Sequence, residues 1–269
     1  MTHPATHPLL AHPGSRAIAH RGGGLEREEN TLPAFDHAVA LGYSHAELDV
    51  HATRDGVVVI HHDPALLRIC GDPRRIADLD WRELQHVRTK GGAAIPRLQD
   101  LLEAHPGLFV TIEAKSDSVV APLCSLIMAM GVLERISIGA FSPARTLAAR
   151  KQLGEGLLWS PAHLGVAKLW ARGWGLPLRL APFGVLQVPA AWHGIPLVTA
   201  RFLRAAHARG RAVQVWTVNE TAEMHRLLDL GVDGIMTDRP TLLREVLVGR
   251  GQWPSDHQDK RHDRSIEQE

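Results

Sequence analysis

His45-Ala46-Glu47-Leu48-Asp49-Val50 is a polar run interrupted by apolar residues at every second position. Side chains of a strand alternate faces, so Glu47 and Asp49 point the same way if this segment is extended. Two like charges on one buried face are costly unless a cation or a proton neutralises them. A third acid, Glu113, has a similar setting in Leu108-Phe109-Val110-Thr111-Ile112-Glu113-Ala114-Lys115, where Lys115 shares its face. Three oxygen donors with few soft ligands nearby suit Mg²⁺ or Ca²⁺ better than zinc.

Outward from this strand lie two histidines. His20 falls in Ala19-His20-Arg21-Gly22, and His62 in Val57-Val58-Val59-Ile60-His61-His62-Asp63. An imidazole on each side of a paired-carboxylate site can take a proton from one oxygen and return one to another beside a bound cation. That is the layout of a metal-assisted phosphodiesterase. His61 would take the opposite face of a continuing strand and reads as structural.

Short apolar strand candidates alternate with helical patterns along the whole chain, at residues 17–20, 46–50, 109–113, 136–141, 157–160, 185–188, 213–217 and 234–237. This alternation predicts a parallel α/β architecture, and eight such units close a TIM (β/α)8 barrel. Residues 32–42 carry a proline near a helix start and a glycine stop, and residues 222–231 repeat the glycine stop. Residues 57–62 extend the second strand, residues 78–87 read as a helix, and residues 64–97 form a small insertion expected to cap the barrel mouth. Between Trp170 and Trp192, glycines and prolines break any period. The organisation read from this is a flexible segment over residues 1–15, a barrel over 16–249 and a disordered tail over 250–269. In a TIM barrel the functional groups gather at the carboxyl ends of the strands, which is where His20, Asp49, Glu113, Phe141, Trp216 and Asp238 fall.

Composition fits one enzyme domain. The chain has 269 residues, 45% of them hydrophobic, enough to bury a full core. Its 30 basic and 29 acidic residues leave a net charge of +1, which disfavours nucleic acid as a partner. The two cysteines, Cys70 and Cys124, read as free thiols of a reducing compartment. No run approaches the roughly 18 apolar residues of a membrane span, and the start lacks a basic region followed by a long apolar stretch, so a cytoplasmic protein is expected.

These residues resemble the glycerophosphodiester phosphodiesterases. The pieces occur in family order: His20-Arg21-Gly22, Glu29-Asn30-Thr31, Glu47-Leu48-Asp49, Asp55-Gly56 leading to His62-Asp63, Ile95-Pro96-Arg97-Leu98, Glu113-Ala114-Lys115, Phe141-Ser142, Trp216-Thr217-Val218-Asn219 and Gly231-Val232-Asp233-Gly234 leading to Thr237-Asp238. The ordered set, spanning about residue 17 to about 247, is specific where any one tripeptide is not. One departure is Glu28, where the family usually has a proline that would stiffen the loop.

The resemblance implies hydrolysis of a small glycerophosphodiester to glycerol 3-phosphate and an alcohol. His20 and His62 would act as base and acid in an order left open. One divalent cation, Mg²⁺ or Ca²⁺, would be held by Glu47, Asp49 and Glu113. Arg21, Lys115 and Trp216 would contact substrate. Each has a plainer rival: the acids as ion-pair partners of Arg21 and Lys115, Trp216 as barrel packing, Asn30 as a helix cap rather than support for the metal site. Two other functions stand beside the first. A phospholipase D-like activity on lysophospholipids would need an apolar mouth, which Leu164, Val166, Leu169, Trp170 and Trp174 could supply. A catalytically silent phosphodiester-binding barrel is disfavoured by the intact histidine pair and three acids.

Overall fold

The computed structural model describes residues 7–11 and 14–253. The strands are β1 (Arg16–His20), β2 (His45–Ala52), β3 (Val58–Ile60), β4 (Phe109–Ala114), β5 (Ile136–Gly139), β6 (Leu158–Trp159), β7 (Val185–Pro189), β8 (Ala191–Trp192), β9 (Ile195–Pro196), β10 (Ala212–Trp216) and β11 (Gly234–Thr237). Eight of them lie parallel in the order β6-β5-β4-β2-β1-β11-β10-β7, with β3 added antiparallel to β2. Between the end strands β6 and β7 the Gln187 amide donates to Ser160 Oγ at 3.0 Å, so the sheet curls into a nearly closed barrel. The expected α/β TIM barrel with an insertion after its second strand is the fold.

Among the described residues ten helices accompany the strands: α1 (Leu32–Ala40), α2 (Leu67–Cys70), α3 (Trp81–Leu84), α4 (Leu98–Ala104), α5 (Val120–Met130), α6 (Pro143–Leu153), α7 (His163–Gly173), α8 (Ala200–His207), α9 (Thr221–Leu230) and α10 (Pro240–Gly249). The core lies between sheet and helices, where Leu48 and Val50 of β2 join Phe35 and Ala38 of α1. The other face of β2, carrying His45, Glu47, Asp49 and His51, is buried too. That face looks into a polar barrel interior, where Gln187 Nε2 donates to Thr111 Oγ1 and Gln214 Oε1, both at 3.2 Å.

Several sequence readings change. Pro8–Leu10, inside the segment expected to be flexible, form a 3₁₀ turn whose Leu9 is buried with Leu158 and Val185 and whose carbonyl accepts from His45 Nε2 at 3.1 Å. The remainder of that segment at 1–6 and 12–13, and of the tail at 254–269, lies outside the described residues. The helix expected over 78–87 shrinks to a 3₁₀ turn at Ile76–Asp78 and the single turn of α3, capped by Asp80 and Glu83. The insertion does not roof the mouth. Its Leu66, Ile76, Leu79, Leu84 and Ile95 bury a small separate core with Val59 of β3. The mouth is walled instead by α7 and the β8–β9 hairpin, whose turn residues His193 and Gly194 both have positive φ, as a two-residue hairpin turn requires.

The tail boundary moves as well. Trp253 packs at a tilt against Tyr43 with ring centroids 5.3 Å apart and receives the Arg244 guanidinium at 5.7 Å over its ring. Trp253→Ala should therefore destabilise the fold by about 1–2 kcal/mol. A urea midpoint unchanged from the parent would show that this docking contributes nothing.

Candidate active site

The parallel register of β2 and β4 sets Asp49 opposite Glu113, and that of β1 and β2 sets His20 opposite Glu47. One carboxylate oxygen from each of Glu47, Asp49 and Glu113 lies within 4.8 Å of the others. All-oxygen chemistry, three acids and this spacing suit a hard divalent cation. Burial pushes the Glu47 pKa up to about 8, with the Asp49 charge adding to the effect. Glu113 is raised for the same two reasons, with Lys115 opposing. Asp49 goes the other way. Burial works against its charge, but Arg21, Lys115 and the Asn30 amide outweigh it and hold it below its ordinary value.

The loop after β1 exists in a shape that serves Asp49. Arg21 Nε lies 3.1 Å from Asp49 Oδ2, Asn30 Nδ2 donates to the same oxygen at 2.9 Å, and Lys115 Nζ lies 3.4 Å from Oδ1. Arg21 and Asn30 both adopt positive φ, joined by a bond from the Asn30 amide to the Arg21 carbonyl at 2.9 Å. Gly22 between them, also at positive φ, lies so close to α1 that an added Cβ would sit 2.8 Å from the Ala34 Cβ. Asn30 is therefore no helix cap. Its side chain is spent on Asp49, and Thr31 occupies the cap position of α1.

Both histidines are oriented through Nδ1. His20 Nδ1 pairs with Asp238 Oδ1 at 2.6 Å, and Asp238 Oδ2 accepts from Asn219 Nδ2 at 2.9 Å. His62 Nδ1 pairs with Asp63 Oδ1 at 2.6 Å, while Arg68 binds both Asp63 and Glu29. Each Nε2 is thereby left for chemistry, that of His20 lying 3.6 Å from Glu47 Oε2. Burial alone would lower the His20 pKa, but Glu47 and Asp238 raise it above its ordinary value. His51, held neutral by burial with its pKa down to about 4, meets the His62 carbonyl at 3.1 Å. His61 is buried, as its opposite face required.

His20, Arg21, Glu47, His62, Glu113, Lys115 and Trp216 all line one cavity of about 530 Å³. Asp49 does not line it but is buried against Arg21 and Lys115, which do. The opposite half of that cavity is apolar, with Phe141, Val166, Trp170, Trp192, Ile195 and Leu197. Of the five residues considered for an apolar mouth, Val166 and Trp170 line it, Leu169 is in the core, and Leu164 and Trp174 face outward. Trp216 meets Phe141 edge-on at 5.9 Å and is a wall of the cavity. Sequence reasoning missed Arg68, His51 and the partnership of Asp238 with His20. The first two lie outside every motif, and the last spans 218 positions of chain.

A family model described as the glycerophosphoryl diester phosphodiesterase family matches residues 20–242. The chain is 38% identical over 252 residues to a Mycobacterium tuberculosis protein named "Probable glycerophosphodiester phosphodiesterase 2", covering 91% of this chain and 95% of that one. It is 30% identical to a lysophospholipase D of Homo sapiens, covering 87% of this chain and 86% of the relative. The crystal structure of glycerophosphodiester phosphodiesterase from Agrobacterium tumefaciens superposes with a TM-score of 0.74 at 24% identity, covering 87% of this chain and all of that one. That likeness is of the fold.

A raised Glu47 pKa makes stability depend on pH in a definite direction. At low pH Glu47 is neutral in both folded and unfolded chains. As pH rises from its ordinary value of 4.5 toward about 8, the unfolded chain gains from ionising and the fold does not, so the Glu47 contribution to stability without a cation falls across that window. A bound cation favours the ionised form. The melting-temperature gain on adding Mg²⁺ or Ca²⁺ should accordingly grow from the acid to the alkaline end of the window in scanning fluorimetry. An increment independent of pH would contradict the coupling.

Proposed function

The chain belongs to the glycerophosphoryl diester phosphodiesterase family, and on that premise we propose that it hydrolyses glycerophosphodiesters to glycerol 3-phosphate and an alcohol. The observation that carries this reading is the pair of Nδ1-anchored imidazoles lining one cavity with three clustered carboxylates. Glu47, Asp49 and Glu113 would hold one divalent cation, Mg²⁺ or Ca²⁺. The chemistry supplied by a cation so held is charge stabilisation at the phosphoryl oxygens and acidification of a nearby hydroxyl.

The protein's own groups account for the rest. One imidazole removes the proton of the attacking oxygen as its bond to phosphorus forms, and the other protonates the alcohol oxygen as its bond to phosphorus breaks. Asp238 and Asp63 hold these rings in one tautomer, with Nε2 presented to the cavity. Arg21 and Lys115 keep Asp49 ionised and place positive charge beside the phosphoryl oxygens. Trp216 and Phe141 form the wall on which the glycerol or alcohol portion rests. The two unpaired cysteines support a reducing, cytoplasmic setting.

A second reading, cleavage of lysophospholipids at the same phosphodiester, is favoured by one feature. The apolar half of the cavity, from Val166 to Trp192 and Ile195, is lined by carbon, and a glycerophosphodiester has no acyl chain to place there.

His20→Ala and His62→Ala should each lower kcat on the order of 10²- to 10⁴-fold with melting temperatures near the parent's. Retention of turnover within a few-fold by either would remove that residue from proton transfer. Choline release from glycerophosphocholine and from lysophosphatidylcholine, each with EDTA and cation add-back, separates the two substrate readings. Undiminished turnover after exhaustive chelation would remove the cation from both.

A further inference from the structure

Charge in this chain is segregated in a way its near-neutral total conceals. Residues 156–219 contain no aspartate or glutamate, yet hold Lys168 and six arginines. This acid-free stretch builds α7 and the β8–β9 hairpin, the apolar side of the mouth, and α8, which packs on α7. Arg172, Arg201, Arg204 and Arg209 line a shallow basin with Trp174 between α7 and α8, and no acid lines it.

Exposed apolar side chains collect on these elements and on the loops beside them. Of the eleven large hydrophobic residues exposed among the described residues, six are Phe141, Leu164, Trp174, Leu176, Trp192 and Ile195. Leu164 is 69% exposed and Ile195 62%. Aromatic contacts tie parts of this surface together: His163 packs against Phe141 at 5.5 Å and Trp192 at 4.9 Å, and Trp170, inside the cavity, meets Trp174 outside it at 5.8 Å. The Arg201 guanidinium covers the Trp174 ring at 4.0 Å, joining the apolar rim to the arginine basin. Apolar patches of this kind, rimmed by charge of one sign, mark interaction surfaces.

We propose that this face docks the protein on an anionic lipid bilayer. Leu164, Trp192, Ile195 and Leu176 enter the headgroup layer, and the arginines of α7 and α8 bind lipid phosphates, so the cavity opens onto the membrane surface. Tryptophans suit that depth because their rings are apolar with one polar edge. The attachment is peripheral, since no helix among the described residues is long and apolar enough to cross a membrane. A nucleic acid would match the arginines but not the leucine and isoleucine rim, and the Trp174 face on which a base would stack already carries Arg201. The proposal rests on the surface, and its test needs no turnover, so it stands or falls separately from the phosphodiesterase reading.

The test is co-sedimentation of the full chain with vesicles of phosphatidylcholine alone and with a third of it replaced by phosphatidylglycerol. The protein should pellet with the anionic vesicles, far less with the neutral ones, and be released by salt. Arg204→Glu, at an exposed position outside the cavity, should weaken binding on the order of tenfold. Lys151→Glu, an equal charge change on exposed α6, should leave it unaltered. Leu164→Ser with Trp174→Ser should weaken it with the charges intact, and circular dichroism melts confirm that each variant folds. The proposal is overturned by equal pelleting on both vesicle types, by none on either, or by equal loss in Lys151→Glu and Arg204→Glu. Salt-sensitive binding of a single-stranded RNA without vesicle binding overturns it too.

Discussion

Three carboxylates within 4.8 Å of one another, two of them on one buried strand, are the constraint on which the rest of this barrel depends. Without compensation, ionising all three would cost several kcal/mol each in desolvation, plus their mutual repulsion. The chain answers unevenly. Asp49 is given Arg21, Lys115 and Asn30 and stays charged, while Glu47 and Glu113 are left to hold protons more tightly than free glutamates do. Negative charge is thereby concentrated at one place, on oxygen donors alone, the donor type that suits a hard cation.

The unusual backbone of the β1–α1 loop follows from that need. Arg21 and Asn30 adopt left-handed φ, each costing of order 1 kcal/mol, so that both can reach Asp49. The loop is then pinned from outside: Glu28 accepts from Thr89 Oγ1 at 2.6 Å and from the Gly91 amide at 2.7 Å, both in the insertion. This is the position at which a proline would have stiffened the segment by itself. Here the insertion supplies the rigidity through hydrogen bonds, and it also supplies Arg68 to brace Asp63 and Glu29.

The cavity divides along the barrel. Strands β1, β2 and β4 bring the charged groups, whereas the chain between β6 and β10 brings aromatic and aliphatic walls and every charge it carries is positive. Closure between β6 and β7 is loose, and α7 and the hairpin fill what a tighter barrel would leave to short loops. One side of the cavity is therefore charged and the other apolar.

The alternation of short apolar strands with glycine-stopped helices sufficed to read the barrel, because strand and helix periods are local properties of neighbouring residues. The same holds for Glu47 with Asp49, two apart on one strand, and for the motif order that pointed to His20 and His62. Helix length in the insertion was misread, since a segment packing on a small separate core needs only single turns. Sequence favoured a helix cap for Asn30, because the helix start is near in chain, whereas only the fold brings its side chain to Asp49. Asp238 and Arg68 reach their partners across 218 and 39 positions, and no local rule carries that far. Tertiary closure alone set them there, as it alone gathered one acid-free stretch of a nearly neutral chain into a single face.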